Sequence, residues 1–124
     1  MIIVDTSSWI DHMRGRPTPL DEVLGQGRVA MHPFVKGELL LNGLSKKSKL
    51  DFDFDDLLNA PLASVSEVAA FIAWAKLAGK GVGYVDTHLL VSAKMTPNGS
   101  LMTGDRNLHA QAERLGIAYA PEDR

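Results

Sequence analysis

Short apolar runs alternate along this chain with longer segments that have helical periodicity. The runs predict β-strands and the longer segments predict helices. Predicted strands lie at 1–4, 29–31, 62–65, 101–103 and 117–119. Predicted helices cover 6–13, 19–25, 33–44, 48–58, 66–79, 86–95 and 105–115. This alternation favours the α/β class, with a central, mostly parallel sheet flanked by helices on both faces in an α/β/α arrangement.

Composition narrows the class of protein. A length of 124 residues with 45% apolar content fits one domain, placed at 1–124, with enough apolar material for a core. No apolar stretch approaches the roughly 18 residues of a membrane span, so no membrane partner is expected. The absence of cysteine excludes disulfides and thiol nucleophiles and fits a cytoplasmic location. With a net charge of −2, binding to nucleic acid would need cations to supply positive charge.

Three aspartates stand where a predicted helix opens. Asp5 directly follows the apolar run 1–4, and Asp86 and Asp105 begin two later helices. In open α/β sheets, ligands bind where the carboxyl ends of strands meet the following helices. The alternative is that each aspartate only caps its helix, because Asp is a preferred N-cap residue.

Glu38 is a fourth candidate acid. Helical spacing places it on the same face as Phe34, Val35 and Leu41. A carboxylate on an apolar face is unfavourable unless it is paired or binds a metal ion. A partly exposed Glu38, or one paired with Lys or Arg, is the simpler alternative.

Repulsion among these four acids would be large if they met in one place. Two carboxylates about 5 Å apart repel by about 3 kcal/mol at an effective dielectric of 20. Four such groups form six pairs, so the sum could exceed roughly 10 kcal/mol, which rivals the stability of a whole domain. Such a cluster would therefore bind protons or a cation. Oxygen ligands favour Mg²⁺ or Mn²⁺, and either ion suits phosphate chemistry because it lowers the pKa of bound water.

The acids stand in motifs that resemble those of PIN-domain ribonucleases, and more closely those of the VapC toxins of bacterial and archaeal toxin–antitoxin pairs. The motifs occur in order over essentially the whole chain. They are Val4-Asp5-Thr6-Ser7, Gly37-Glu38-Leu39, Gly83-Tyr84-Val85-Asp86-Thr87-His88-Leu89-Leu90 and Thr103-Gly104-Asp105.

This resemblance implies a function and a site. The implied activity is cleavage of single-stranded RNA by metal-activated water, in a homodimer whose site is blocked by a cognate antitoxin. The implied site is a Mg²⁺ ion held by four carboxylates that two threonines support: Asp5, Glu38, Asp86 and Asp105, with Thr6 and Thr103. Many relatives carry a further acid two residues after the fourth one, and Asn107 stands there in this chain, so a second metal ion, if the chemistry uses one, would bind more weakly.

Two other functions stay open at this point. A non-enzymatic binding module would use the acids only as helix caps. An aspartyl-phosphate phosphatase would use Asp5 as its nucleophile, but such sites usually place a second Asp two residues later, where this chain has Ser7. Candidate contacts for an RNA backbone, with solvated loop charges as the alternative, are the basic residues at 14, 16, 46, 47 and 49.

Overall fold

A sheet of four parallel strands is present in the part of the chain that this computed structural model describes, residues 1–44 and 53–121. In chain order the strands are β1 (Ile2–Val4), β2 (Val29–Met31), β3 (Leu58–Asn59) and β4 (Ser100–Met102). Their spatial order is β3-β2-β1-β4, so β1 and β4 are neighbours although most of the chain separates them. The carboxyl ends of all four strands lie along one edge of the sheet, because the strands are parallel.

Six α-helices cover the sheet within the described residues. They are α1 (Thr6–Met13), α2 (Leu20–Val23), α3 (Pro33–Leu41), α4 (Val65–Ala75), α5 (Tyr84–Met95) and α6 (Arg106–Arg114). Right-handed crossovers place α1 to α3 on one face and α4 to α6 on the other. The contacts agree, since α1 packs against α3 and α4 packs against α5. No helix among the described residues has the length and apolar character that crossing a membrane requires.

The core lies between the sheet and these two helix layers. Every residue of β1 and β2 is buried, which explains why their sequences are continuous apolar runs without alternation. Trp9 of α1, Leu39 of α3 and Leu90 of α5 are fully buried against the sheet. Burial on both faces of the sheet confirms the predicted α/β/α class. The polar residues that follow the strands lie along the edge formed by the carboxyl ends of the strands.

The strand predicted at 62–65 is wrong. The sheet uses Leu58–Asn59 instead, and Ser64 forms a capping box with Glu67 that starts α4 at Val65. Ser64 accepts the backbone N–H of Glu67, and the Glu67 carboxylate accepts the backbone N–H of Ser64, so this segment is committed to a helix start. Part of the helix predicted at 48–58 lies outside the described residues. The described part contains a 3₁₀ turn at Phe54–Asp56 followed by β3.

Other boundaries differ by a few residues. The helix predicted at 33–44 ends at Leu41, because Gly43 adopts a φ of 73° and turns the chain so that the amide of Leu44 bonds back to Leu39. The helix predicted at 66–79 ends at Ala75, since Lys76 has a positive φ of 55°. The helix predicted at 19–25 is split into α2 and a 3₁₀ turn. The predicted last strand contributes a single parallel bridge, Leu101 to Ala118.

Candidate active site

The candidate site lies where β1 and β4 end side by side. The register pairs Val4 with Met102, so the next residues along the two strands, Asp5 and Thr103, leave the sheet together. The backbone N–H of Asp5 donates to the carbonyl of Met102 at 3.1 Å, and the hydroxyl of Thr103 donates to the Oδ2 of Asp5. This pairing brings the first and fourth sequence motifs into direct contact.

Asp5 is both a helix cap and a buried charge. Its Oδ1 accepts the backbone N–H of Ser8 at 3.0 Å, which caps α1, while its Oδ2 accepts from Thr103. Only 3% of Asp5 is exposed, so these two donors, one in α1 and one just after β4, replace water at its carboxylate. Capping accounts for one oxygen of Asp5. It does not explain why this acid is buried close to other acids.

Asp105 also caps a helix. Its Oδ1 accepts the backbone N–H of Leu108 at 2.8 Å at the start of α6, and its own backbone N–H donates to the hydroxyl of Thr103. Thr103 thus bonds to both Asp5 and Asp105, since its oxygen donates to the first and accepts from the second. One hydroxyl group links the ends of β1 and β4.

Asp86 does not cap its helix, contrary to the capping hypothesis. The helix begins at Tyr84, and Gly83 occupies the N-cap position in an extended conformation, so Asp86 is the third helical residue. The pKa of Asp86 is raised to about 6. Burial is the largest cause, and the negative charges of Asp5, Asp105 and Glu38 add to it. The other three acids therefore all lie close enough to act on Asp86 electrostatically.

Glu38 reaches this region from α3. Its Oε1 accepts a hydrogen bond from the hydroxyl of Thr6, which ties α3 to the first turn of α1. The apolar stripe predicted around Glu38 is only partly present, because Val35 is buried while Leu41 is 89% exposed. Glu38 therefore pairs with a threonine hydroxyl.

A divalent cation fits this donor set by chemistry and charge. All four side chains offer only oxygen atoms, and burial together with the three neighbouring acids makes the ionised form of Asp86 unfavourable. Among residues 1–44 and 53–121, however, no three His, Asp or Glu side chains are arranged as a ready-made metal-binding group. Asp5, Glu38 and Asp105 each direct an oxygen to a donor of the chain itself instead.

Two buried histidines, His32 and His88, pack against each other where the start of α3 meets α5. His32 caps α3, accepting the N–H of Phe34 on Nδ1 at 3.0 Å, and its ring lies 6.2 Å from that of His88. Burial and the neighbouring His88 lower the pKa of His32 to about 4, and burial lowers the pKa of His88. Both rings are therefore neutral near pH 7. The position of His32 immediately before Pro33 was the available signal for the cap.

Asn107, which stands where many relatives carry an acid, rests against the loop that leads into α5. A Cβ added to Gly81 would lie 2.6 Å from the Nδ2 of Asn107, and Gly81 has a φ of 76°. The backbone conformation favours glycine here, whereas the flexible side chain of Asn107 could move to make space for a Cβ. Ser8 is a further contributor that the sequence analysis missed, although its position three residues after Asp5 is typical of an N-cap pair.

Comparison with known proteins gives a consistent result. Residues 2–117 match the family model described as PIN domain. Among curated proteins, Ribonuclease VapC32 of Mycobacterium tuberculosis is similar to this chain in two strains, CDC 1551 / Oshkosh and ATCC 25618 / H37Rv. Each is 34% identical over 122 residues, which cover 98% of this chain and 98% of the relative. No solved structure gives a significant match.

Proposed function

We propose that this chain, which belongs to the PIN-domain family and is a ribonuclease of the VapC type, is a Mg²⁺-dependent endoribonuclease toxin of a toxin–antitoxin pair. The observation that carries the proposal is that Asp5 and Asp105, which follow β1 and β4, and Glu38 of α3 all act electrostatically on the carboxyl group of Asp86. PIN-domain nucleases of the VapC type generally use a divalent metal ion. A coupled set of oxygen donors supports the same requirement in this chain.

In this proposal Asp5, Glu38, Asp86 and Asp105 hold Mg²⁺, with Mn²⁺ as a substitute. The bound ion would lower the pKa of a water molecule and stabilise the leaving oxygen of the RNA. The chain itself positions the ligands. Thr103 fixes the Oδ2 of Asp5, and Thr6 fixes an oxygen of Glu38. Such supporting hydrogen bonds orient the ligands and limit their movement.

The charge of the protein supports a role for the cation in RNA binding. The chain carries a net charge of −2, so its overall field does not attract RNA. A divalent ion at the acidic edge would offset part of the negative charge there and would bind a phosphate oxygen of the RNA directly. Arg14 and Arg16 are exposed just after α1 and are candidate contacts for the phosphate backbone. The other candidates, at 46, 47 and 49, lie outside the described residues.

The proposed partners are an antitoxin and a second copy of the chain, with RNA as the substrate, in the cytoplasm. Both protein partners need exposed apolar surface. Such surface exists on α4, where Val65 is 76% and Trp74 is 65% exposed. Trp74 and Phe71 line an open groove of about 340 Å³ with Met95 of α5.

The decisive experiment compares RNA cleavage by wild type and Asp5→Asn. Wild type should cut single-stranded RNA with Mg²⁺ and stop when EDTA is added. Asn is also a good N-cap residue and keeps the size of the side chain, so Asp5→Asn should fold while losing at least about 10²-fold in rate. Melting curves of both proteins control for folding. Equal cutting by the two proteins would refute the proposal.

A binding module is the second candidate, because Asp5 and Asp105 do cap their helices. It predicts that Mg²⁺ leaves thermal stability unchanged. The nuclease proposal predicts a rise, since a ligand specific for the native state stabilises it by RT ln(1 + [L]/Kd). The aspartyl-phosphate hypothesis is tested separately, by attempting to trap an acyl-phosphate on Asp5.

A further inference from the structure

A small cavity opens beside Asp5, between α1 and the loops that follow α1 and β4. Its volume is about 140 Å³, and its walls include Ser8, Asp11, Thr18 and Thr103. Two of these walls contact Asp5 directly, through the N–H of Ser8 at Oδ1 and the hydroxyl of Thr103 at Oδ2. The cavity is therefore separated from Asp5 by no more than the residues that hold its carboxylate.

The topology explains why a cavity exists at this place. β1 and β4 are adjacent, but the connection after β1 leads to α1 on one face and the connection after β4 leads to α6 on the other. Connections that part in this way leave a crevice at the carboxyl ends of the two strands. Crevices of this kind are where open α/β sheets bind their ligands.

The lining of the cavity indicates which part of an RNA could enter it. The carboxylate of Asp11, with Asp5 close by, disfavours a phosphate group. The prolines at 17 and 19 and the side chain of Met102 offer apolar contacts to a flat ring. Hydroxyl groups of Ser8, Thr18 and Thr103 add polar contacts. An unpaired base, which is neutral, flat and rich in hydrogen-bonding groups, matches this combination better than the backbone does.

Asp11 makes the cavity selective among bases. An ionised carboxylate only accepts hydrogen bonds, through two oxygens side by side. Guanine presents two adjacent donors, N1–H and the 2-amino group, on its Watson–Crick edge. Adenine and cytosine place an acceptor next to their amino group, and uracil has one donor between two carbonyl oxygens. Guanine is the base whose edge is complementary to Asp11.

We propose that this cavity is a subsite for one unpaired guanine adjacent to the cleaved bond, recognised by Asp11. The inference rests on the proposed ribonuclease function and adds a sequence preference to it. Asp11 lies six residues after Asp5, which is about 9 Å along the axis of α1. A nucleotide next to the one held at Asp5 can span this separation.

The existing partner of Asp11 does not block the subsite. The Nε of Arg16 lies 3.4 Å from the Oδ1 of Asp11, and the two side chains are 56% and 44% exposed. Ion pairs that are this exposed contribute little to stability, so a base with two donors can replace Arg16. The released guanidinium would then be available to a neighbouring phosphate.

The first test measures cleavage preference with a pool of single-stranded RNAs in which the sequence is random. Sequencing the new 5′ ends should show guanine enriched at one position near the bond cut by wild type. Asp11→Asn should reduce that enrichment by about tenfold or more, because one oxygen acceptor becomes an amide donor. Asp56→Asn removes the same charge from an exposed 3₁₀ turn and should keep the preference. An unchanged preference in Asp11→Asn, or a uniform loss at all sequences, would overturn the subsite.

The second test measures binding without cleavage. Guanosine 5′-monophosphate should shift the backbone amide NMR signals of Ser8, Thr18 and Thr103 more strongly than adenosine 5′-monophosphate does. Thr18→Phe, which narrows the cavity, should abolish the difference between the two nucleotides. Equal shifts with both nucleotides would contradict the subsite even if wild type cuts RNA. If wild type cuts no RNA, the function proposal fails by itself, and a guanine-specific shift would still identify the cavity as a base-binding site.

Discussion

The apolar core and the acidic edge above it share the same strands but have opposite energetics. Ile2, Ile3 and Val4 are at most 1% exposed, and each buried aliphatic side chain stabilises the fold by about 1.5–3 kcal/mol. The next residue, Asp5, is almost as deeply buried but carries a charge that repels Asp86. The core thus supplies stability that offsets repulsion at the edge, and the edge supplies the charge that a cation requires.

Within the edge, the acids are held in two different ways. Asp5 and Asp105 are fixed by backbone N–H donors at helix starts, which stabilise a carboxylate. Asp86 has no capping role, and burial together with its neighbours raises its pKa to about 6. The ionised form of Asp86 is therefore unfavourable in the folded protein, and a bound cation would stabilise it.

The largest effect on stability is expected in the core. Ile3→Ala removes a fully buried side chain from β1 and should lower the free energy of unfolding by about 2–5 kcal/mol, as measured by urea denaturation. The cleavage rate per folded molecule should change far less than in Asp5→Asn. If Ile3→Ala loses more cleavage activity than its reduced fraction of folded protein explains, the proposal that the core and the site act separately is wrong.

The next effect concerns the link between the two strand ends. Thr103→Val keeps the shape of the side chain and removes the hydroxyl that bonds to Asp5 and Asp105. Hydrogen bonds that orient metal ligands typically contribute 10- to 100-fold to activity or metal affinity, so cleavage should fall by about tenfold or more. Thr96→Val removes a hydroxyl that bonds to Ser92 at the far end of α5, and it should leave cleavage unchanged. Equal rates in both variants would show that Thr103 does not position Asp5.

The smallest effect is a gain in stability at the edge. The folded protein holds a proton on Asp86 more tightly than the unfolded chain, since its pKa rises from 3.8 to about 6. The stability that this proton contributes is present below about pH 4 and is lost as the pH rises through about 6. Fully converted, the raised pKa corresponds to about 3 kcal/mol, and solvent screening of this partly buried group reduces that to about 1 kcal/mol.

Asp86→Asn should therefore be more stable than wild type by about 1 kcal/mol above pH 6 in EDTA, with the difference shrinking toward pH 4. Urea denaturation at several pH values measures this. A wild type that is at least as stable as Asp86→Asn at pH 7 without divalent ions would contradict the proposed crowding of charge.

The sequence predicted the elements whose signals are local. β2 at 29–31 and α1 at 6–13 have the predicted bounds, because a buried strand needs a continuous apolar run and a helix needs its own periodicity. β3 was missed because it has only two residues and both are exposed, so no apolar pattern marks it. The stronger apolar pattern at 62–65 belongs to a helix start that the Ser64 capping box determines.

The site was predictable to a different extent. The motifs identify the four acids, but the roles of those acids remain predictions. The partners of the acids depend on tertiary structure. Nothing local indicates that Thr6 bonds to Glu38, 32 residues away, or that Thr103 bonds to Asp5, 98 residues away. The start of α5 at Tyr84 was also missed, because an Asp three residues into a helix and an Asp at its N-cap look alike in sequence.

We propose that the four carboxylates form one site for a divalent cation. Calorimetric titration of Mn²⁺ into wild type, Asp86→Asn and Asp56→Asn above pH 7 measures whether they do. Saturable binding to wild type and Asp56→Asn is predicted, with affinity at least about tenfold lower in Asp86→Asn. Equal affinity in wild type and Asp86→Asn, or no saturable binding to wild type, would contradict it.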